Sequence, residues 1–376
     1  VREDMVEALP PEAVAEIVGQ LDTDDAVQLI EDLDEGDQRA ILAEVEAEDR
    51  AVIETALAYP EESAGRLMQR ELVAVPDSMT VGDLIDYLRS EEGLTTEFWE
   101  VFVVDHRFHP VGTCQLSWIL RTPRNVKITD VMKRDQTLIP VDMDQEEVAL
   151  RFQKYALISA AVVDENGRLV GQLTVDDIVH IISEEAGEDA LLMSGAGEGD
   201  INEPLRDAYS ARVRWLVANL GTAVVASAII AFFGAAIEQL VALAVLMPIV
   251  ASMGGNAGTQ SLAVAVRSIA ERDLTAANAL RVVWRELATG TVNGLIFAVV
   301  MGLVTMLWFQ DVQLAGVIAL AMVLNLACAG LSGILVPLGL VRAGADPAVA
   351  SSVFVTTVTD VVGFLAFLGL ATLVLL

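Results

Sequence analysis

Five apolar runs constrain this chain more than any other feature: Trp215–Phe233, Leu240–Val266, Leu287–Phe309, Leu314–Val341 and Ala348–Leu376. Each is near or above the roughly 20 residues needed to cross a bilayer, so the second half of the chain is expected to be a five-helix transmembrane domain. The arginines orient it. Arg212 and Arg214 precede span one, Arg267, Arg272, Arg281 and Arg285 cluster between spans two and three, and Arg342 lies between four and five. The opposite loops carry Glu238 and Asp311 and no base. By the positive-inside rule the N-terminal part is cytosolic and Leu376 ends outside, as in a multi-pass protein of the cell (inner or plasma) membrane. No basic-then-apolar leader opens the chain, in keeping with a cytosolic first part, and a start at Val1 rather than Met reads as a fragment.

Charge divides the chain at the same place. The whole formal net charge of −31 belongs to the first 210 residues, while acids and bases balance after Ala211. An acidic soluble part argues against nucleic-acid binding, which needs basic stripes, and suits a surface that meets cations. Cys114 is in the soluble part and Cys328 in an apolar run, so no disulfide framework is expected.

The only charge in the last apolar run is Asp360, near its middle. A carboxylate at that depth is costly unless it meets a partner, a cation or water, so Asp360 is a functional candidate. Span two is expected to be interrupted at Pro248 and along Ser252–Ser261, which contains Gly254, Gly255, Asn256, Thr259 and Gln260. Irregular backbone at membrane depth is tolerated where it packs in protein or lines a water-filled path. Small-residue packing accounts for the glycines but less well for Asn256 and Gln260. One Asp flanked by threonines suits a hydrated divalent cation, since magnesium keeps its waters and is held by one or two carboxylates.

The first residues repeat every twelve positions. Leu9, Leu21, Leu33, Val45 and Leu57 fall in one column and Ile17, Leu29, Ile41 and Ile53 in another, with Asp25, Asp37 and Asp49 between. Twelve residues fit a short helix and a turn, and such helices bury a face only by stacking. Asp24, Asp25 and Asp49 suit helix N-termini.

A second repeat follows. Leu67-Met68 answers Val131-Met132 at an offset of 64, and Val103-Val104-Asp105 answers Val162-Val163-Asp164 at 59, as do Val111-Gly112 and Val170-Gly171. Asn166-Gly167 is a hairpin signal. With Thr129-Asp130-Val131-Met132 and the stretch from Gly171 to Asp177, this arrangement resembles a tandem pair of CBS modules, regulatory units of β-α-β-β-α pattern. In that family a Thr or Ser three residues before an Asp often holds a nucleotide, which Thr174 and Asp177 match. The resemblance therefore implies ATP or another adenine nucleotide there. The first copy has Gln115 and Trp118 instead. Thr174 and Asp176 also suit helix capping. His106 and His109 flank a turn beside Pro110 and read as a solvated loop rather than a metal pair.

A linker follows, with Glu184, Glu185, Glu188 and Asp189 partly on one helical face and then a glycine-rich break over Gly195–Asp200. From end to end the chain is similar to MgtE-type magnesium channels. The most specific marks run from Pro248 to Gln260, joined by the pair Thr359-Asp360. The resemblance implies a multidomain fold: an acidic superhelical repeat of short helices (1–62), a tandem CBS α/β pair (63–183), a linker helix (184–211) and a five-span pore domain (212–376). It implies a homodimer in lipid with the pore at the subunit interface, Asp360 binding hydrated Mg2+ and Asn256 lining the path. It also implies cytosolic Mg2+ sensing through Asp346, Glu184, Glu185, Glu188, Asp189, Asp142, Asp144 and Asp176, which closes the pore.

The expected function is thus a non-enzymatic, Mg2+-selective and Mg2+-gated channel that admits magnesium to the cytosol. The sequence leaves two rivals: a secondary transporter of Co2+, Mn2+ or Ni2+, and a CBS-containing receptor without a pore. Coupled transport would need acids in the membrane beyond Asp360, and only Glu286 offers one. An aspartyl protease would need two facing aspartates in the membrane. No Walker sequence accompanies the only lysines, Lys127, Lys133 and Lys154. None is needed, since a doubly charged ion entering gains about 4.6 kcal/mol per 100 mV.

Overall fold

The computed structural model describes the chain except residues 1–5, 7–8, 32, 91–93, 96–97, 196–204, 276 and 350, and except the side chains of residues 35, 189, 207, 208, 211 and 351. The glycine-rich break after Gly195 and the Asp189 carboxylate therefore lie outside the described residues. The chain divides into two compact units, Val1–Glu185 and Ala186–Leu376.

The first unit begins with four short helices, α1 (Pro11–Val18), α2 (Thr23–Glu31), α3 (Glu35–Glu44) and α4 (Ala47–Leu57). Their first residues are twelve apart, which is the sequence repeat made visible. Helix α1 packs on α3 and α2 on α4. Leu33, Ile41, Val45 and Ile53 are buried, but Leu9, Ile17 and Leu21 are exposed. The repeat columns are thus not uniformly core. Asp24 and Asp25 occupy the first turn of α2 and Asp49 that of α4, where carboxylates favour the positive helix end.

Short helix α5 (Ala64–Leu67) joins the stack to the next layer. The buried Arg66 guanidinium donates to Glu31 Oε2 at 2.9 Å and to the Leu57 carbonyl. A guanidinium satisfied on two sides ties α5 to both α2 and the end of α4.

The duplicated module has one topology in both copies. In the first, β1 (Ala74–Pro76), α6 (Val81–Ser90), β2 (Glu100–Val104), β3 (Pro110–Gln115) and α7 (Leu116–Arg121) form a three-stranded sheet of order β1-β2-β3. In the second, β4 (Leu138–Pro140), α8 (Gln145–Tyr155), β5 (Ser159–Val163), β6 (Leu169–Thr174) and α9 (Val175–Ser194) repeat it. The first pair in each sheet is parallel and the second antiparallel, with a register shift at Val103/Val104 in one copy and Val162/Val163 in the other.

The copies interlock through their glycines. A Cβ on Gly112 would come within 2.8 Å of Met132 Sδ, and one on Gly171 within 2.6 Å of Met68 Sδ. Each glycine therefore receives the methionine that leads into the other copy. Gly167 closes the second hairpin at φ +76, in the left-handed region that glycine tolerates.

Among the described residues, the second unit holds five helices long and apolar enough to cross a membrane. They are α10 (Leu205–Phe232), α12 (Ala242–Ala270), α13 (Ala279–Phe309), α14 (Val312–Arg342) and α15 (Ser351–Leu375), with the short α11 (Gly234–Gln239) after span one. Span four is the central helix, packed against spans two, three and five. Helix α13 starts at Ala279, so Arg281 and Arg285 belong to the first turns of span three rather than to a loop.

One expectation fails here. Span two is not broken: α12 runs without interruption through Pro248 and Ser252–Ser261. Proline removes one amide donor, but spans four and five flank this helix and hold it in line. The glycines serve close approach instead. A Cβ on Gly258 would come within 2.6 Å of Val355 in span five, and one on Gly333 within 2.6 Å of Ser261.

Candidate functional site

Continuity of α12 makes its polar residues meaningful. Ser252, Asn256, Thr259 and Gln260 recur at i, i+4, i+7 and i+8, one stripe of a helix, and all four are exposed. Gly254, Gly258 and Ser261 lie on the opposite stripe and are buried against the other spans. A membrane helix that turns small residues inward and amides outward does so at a cost unless the outer face meets water or protein. Asn256 Nδ2 has a weak contact with Ser252 Oγ at 3.5 Å, and Thr259 Oγ1 donates to the Gly255 carbonyl at 2.9 Å. Neither bond exhausts the amide groups of the stripe.

Span five lies alongside. A Cβ on Gly255 would touch Thr356 at 3.8 Å, and Thr359 packs against Gly258. Asp360, one helical turn beyond Thr356, is half-buried, and its carboxylate has no hydrogen-bond or ion-pair partner among the described residues. The neighbouring threonines turn their hydroxyls to their own backbone: Thr356 to Ser352, Thr357 to Val353 and Thr359 to Thr356. They therefore leave Asp360 as the free acceptor on this face.

The other membrane acid is in a different condition. Glu286 is buried, accepts from Ser261 Oγ at 3.0 Å and lies 3.3 Å from an Arg285 nitrogen. It acts as a fastener between spans two and three.

At one end of the same unit, Leu192 and Met193 of α9 pack into a cluster with Leu262, Val266, Ala348, Val355 and Val336. Glu188 is one turn before Leu192, and Asp346 two residues before Ala348. The Asp346 side chain is exposed and its Oδ1 accepts from the Ala348 amide at 2.7 Å. Among the described residues no three His, Cys, Asp or Glu side chains are grouped closely enough to hold a metal.

The remaining acids named from the sequence have local duties. Asp144 caps α8 by accepting from the Glu146 amide at 2.9 Å. Glu185 accepts from Gln145 Nε2 at 2.7 Å, while Glu184, Asp142 and Asp176 are exposed. His109 lies in a hairpin loop, 3.2 Å from Asp105 and 3.1 Å from the Asn166 carbonyl. Its backbone amide and that of Arg107 hold the Asp105 carboxyl down to about 2.

A carboxylate pair in the first unit was not legible beforehand. Thr174 Oγ1 donates to Asp177 Oδ2 at 2.6 Å, side chain to side chain across the first turn of α9. Gln69 Nε2 reaches both Asp24 at 3.3 Å and Asp177 at 3.5 Å, so the two acids share one amide. Asp24 Oδ1 is buried without a hydrogen-bond partner. Burial first, and Asp177 second, push the Asp24 carboxyl up to about 8. Burial also raises Asp177, helped by Asp176 and opposed by the Thr174 bond.

Thr174 and Asp177 are therefore turned towards the helical stack. The cleft of the duplicated module lies elsewhere. It is lined by Glu100, Gln115, Lys133, Tyr155 and Ser159, among others.

Comparison with known proteins agrees with this architecture. Residues 1–62 match the MgtE intracellular N domain, 128–184 the CBS domain and 247–370 the family described as divalent cation transporter MgtE. The magnesium transporter MgtE of Bacillus subtilis is 32% identical over 357 residues, covering 94% of this chain and 79% of its own. That of Thermus thermophilus is 34% identical over 329 residues, covering 87% and 73%. Among solved structures, the soluble part of a magnesium transporter aligns with TM-score 0.47 at 29% identity, over 49% of this chain and 72% of that one. The cytosolic domain of the Mg2+ channel MgtE in complex with ATP aligns with TM-score 0.45 at 31% identity, over 48% and 75%. With relatives at 32% and 34% identity over most of both chains, and family matches at both its N-terminal and its membrane part, this chain belongs to the MgtE family of magnesium transporters.

Proposed function

We propose that the chain is a Mg2+-selective channel that admits magnesium to the cytosol down its electrochemical gradient and is closed by cytosolic Mg2+. The observation that carries this reading is the outward polar stripe of span two beside the free carboxylate of Asp360. One protomer offers a single such surface. Two protomers related by a twofold axis along the pore would oppose two stripes and two aspartates, matching the preference of magnesium for one or two carboxylates reached through water. Asp360 would hold the hydrated ion and Asn256 would line its path.

The gate follows from charge. Bringing two cytosolic parts together doubles a net charge of −31, so closure without counterions is opposed by repulsion. A divalent cation that binds the compact state better shifts the population towards it. Two contact points suit such ions: the Asp24–Asp177 pair, which leaves one buried oxygen without a donor, and the neighbourhood of Asp346 and Glu188 at the base of the pore helices. We assign Glu184, Glu185, Asp189, Asp142, Asp144 and Asp176 supporting roles on the same acidic surface. In this reading 1–62 is the sensor, 63–183 the CBS pair, 184–211 the linker that transmits closure and 212–376 the pore, with the C-terminus outside.

In this reading a nucleotide would enter at the mouth of the cleft between the CBS copies rather than beside Thr174. Lys133 supplies a cation for phosphate, Tyr155 a face for a base, and Gln115 and Ser159 polar groups for a ribose. Asp177 is instead engaged with Thr174 and Gln69. Ion-coupled secondary transport is the weaker alternative, because Glu286 is already satisfied by Ser261 and Arg285.

The test is flux of Mg2+ into proteoliposomes. Asp360→Ala is expected to abolish it in protein that still assembles, and raising Mg2+ on the cytosolic face is expected to suppress wild-type flux. Intact flux in Asp360→Ala would remove the pore assignment; flux indifferent to cytosolic Mg2+ would remove the gate.

A further inference from the structure

Among the polar side chains buried in the membrane unit, one touches both helices of the proposed pore without belonging to either. Asn325 lies in span four and is 0% exposed. Its Nδ2 donates to the Val250 carbonyl of span two at 2.7 Å, and its Oδ1 has no hydrogen-bond partner among the described residues. An orphaned amide oxygen is unfavourable in the interior, and a leucine would fill the same volume without it.

The surroundings show what the amide does. A Cβ on Gly254 of span two would collide with Asn325 Nδ2, and one on Gly363 of span five would lie 2.8 Å from the same atom. Gly254 is two residues before Asn256, and Gly363 is three after Asp360. Both glycines leave room for a single planar group wedged between the pore helices. The bond to the Val250 carbonyl ties that wedge to span two, four residues before Gly254.

We propose that Asn325 is a positioning residue for permeation: its amide sets the spacing between the Asn256 stripe and Asp360, and hence which hydrated cation fits between them. This rests on the channel reading given above. Discrimination among divalent ions that enter with their waters depends on the width and stiffness of the site, which a buried wedge controls without touching the ion. Glu286 and Ser261 fasten span two at another point, so the Asn325 bond bears specifically on the segment that carries Asn256.

The experiment compares Asn325→Leu, Asn325→Ala, Gly363→Ala and Asp360→Ala in proteoliposomes of the full chain, normalised to correctly assembled protein. Two quantities are read: the Mg2+ concentration at half-maximal influx, and the ratio of Mg2+ to Mn2+ influx. Loss of one buried hydrogen bond in Asn325→Leu is expected to shift the half-maximal concentration by about 5- to 10-fold and to lower the ratio. Gly363→Ala, which presses on the amide from span five, is expected to move both quantities in the wild-type background and less in Asn325→Ala, where space has been made. If Asn325→Leu does not assemble, Gly363→Ala alone and combined with Asn325→Ala decides the matter.

Wild-type half-saturation and wild-type ratio in these variants, with Asp360→Ala inactive, would overturn the positioning role while leaving the pore intact. Undiminished flux in Asp360→Ala would overturn the pore reading itself.

Discussion

Asp360 and the Asp24–Asp177 pair are both partly withdrawn from water, but they are accommodated in opposite ways. Asp360 is solitary, in a unit whose charges balance, with no donor among the described residues to relieve it. Asp24 and Asp177 sit in the acidic unit and share the amide of Gln69. A lone carboxylate in a membrane helix is relieved by something from outside the chain, which fits a transported ion. A close pair of acids is relieved by a proton or a cation that binds between them, which fits a sensor whose occupancy changes with the cytosol.

The largest expected effect breaks the comparison on the membrane side. Asp360→Asn keeps shape and removes charge, and Mg2+ influx should fall on the order of 100-fold, equivalent to about 2.7 kcal/mol at the barrier. Radiotracer or dye flux at matched protein content measures it. Equal flux would mean that the solitary carboxylate is structural.

In the first unit, Asp24→Asn keeps the shape and removes a carboxylate that could bind the ion. Resistance of the first unit to protease should become independent of Mg2+, whereas wild-type protection should require it. A variant that still needs Mg2+ for protection would show that the ion acts elsewhere on the acidic surface.

Next comes packing. Gly258→Ala drives a methyl group into Val355, and overpacking of this kind destabilises by about 1–3 kcal/mol. A thermal unfolding scan of the membrane unit in detergent would register it as a lowered midpoint.

The pair should also respond to pH in a direction that the shift dictates. The Asp24 carboxyl is raised from an ordinary 3.8 to about 8, so the folded junction holds a proton that the open chain releases. Its contribution is complete at low pH and is lost as pH rises through about 8. Without Mg2+, protease sensitivity at the junction should therefore be greater at pH 9 than at pH 6.5, and added Mg2+ should release protons. A sensitivity that falls with rising pH would contradict the raised carboxyl.

The smallest effect expected is at Asp144. Removing the cap in Asp144→Ala should cost about 1 kcal/mol of local stability, visible by hydrogen exchange in α8, with flux unchanged. A change in gating instead would give Asp144 a place in sensing.

Much of the fold was legible because it follows from periodicity. The twelve-residue columns predicted helices whose starts fall at Pro11, Thr23, Glu35 and Ala47. The offsets of 64 and 59 recur in the strands, since β1 and β4 differ by the first and the later strands by the second. Length and apolarity marked five spans. The apparent break in span two was misread because Pro248 and the glycines are local breakers, and sequence does not reveal that neighbouring helices will hold such a segment helical. Sequence marks Asp24 only as a residue suited to a helix start, because its partner is 153 positions away and no local pattern signals that meeting.

What the chain determined by itself, then, is everything that depends on neighbours along it: span lengths, repeat periods, and the place of a lone carboxylate, Asp360, within the last apolar run. Tertiary structure alone decided which groups face one another. Helical continuity turned Ser252, Asn256, Thr259 and Gln260 outward and the glycines inward, and packing brought Asn325 between Gly254 and Gly363. Such meetings depend on the rotation and approach of whole helices, which is set by the summed packing of many side chains and not by any local spacing.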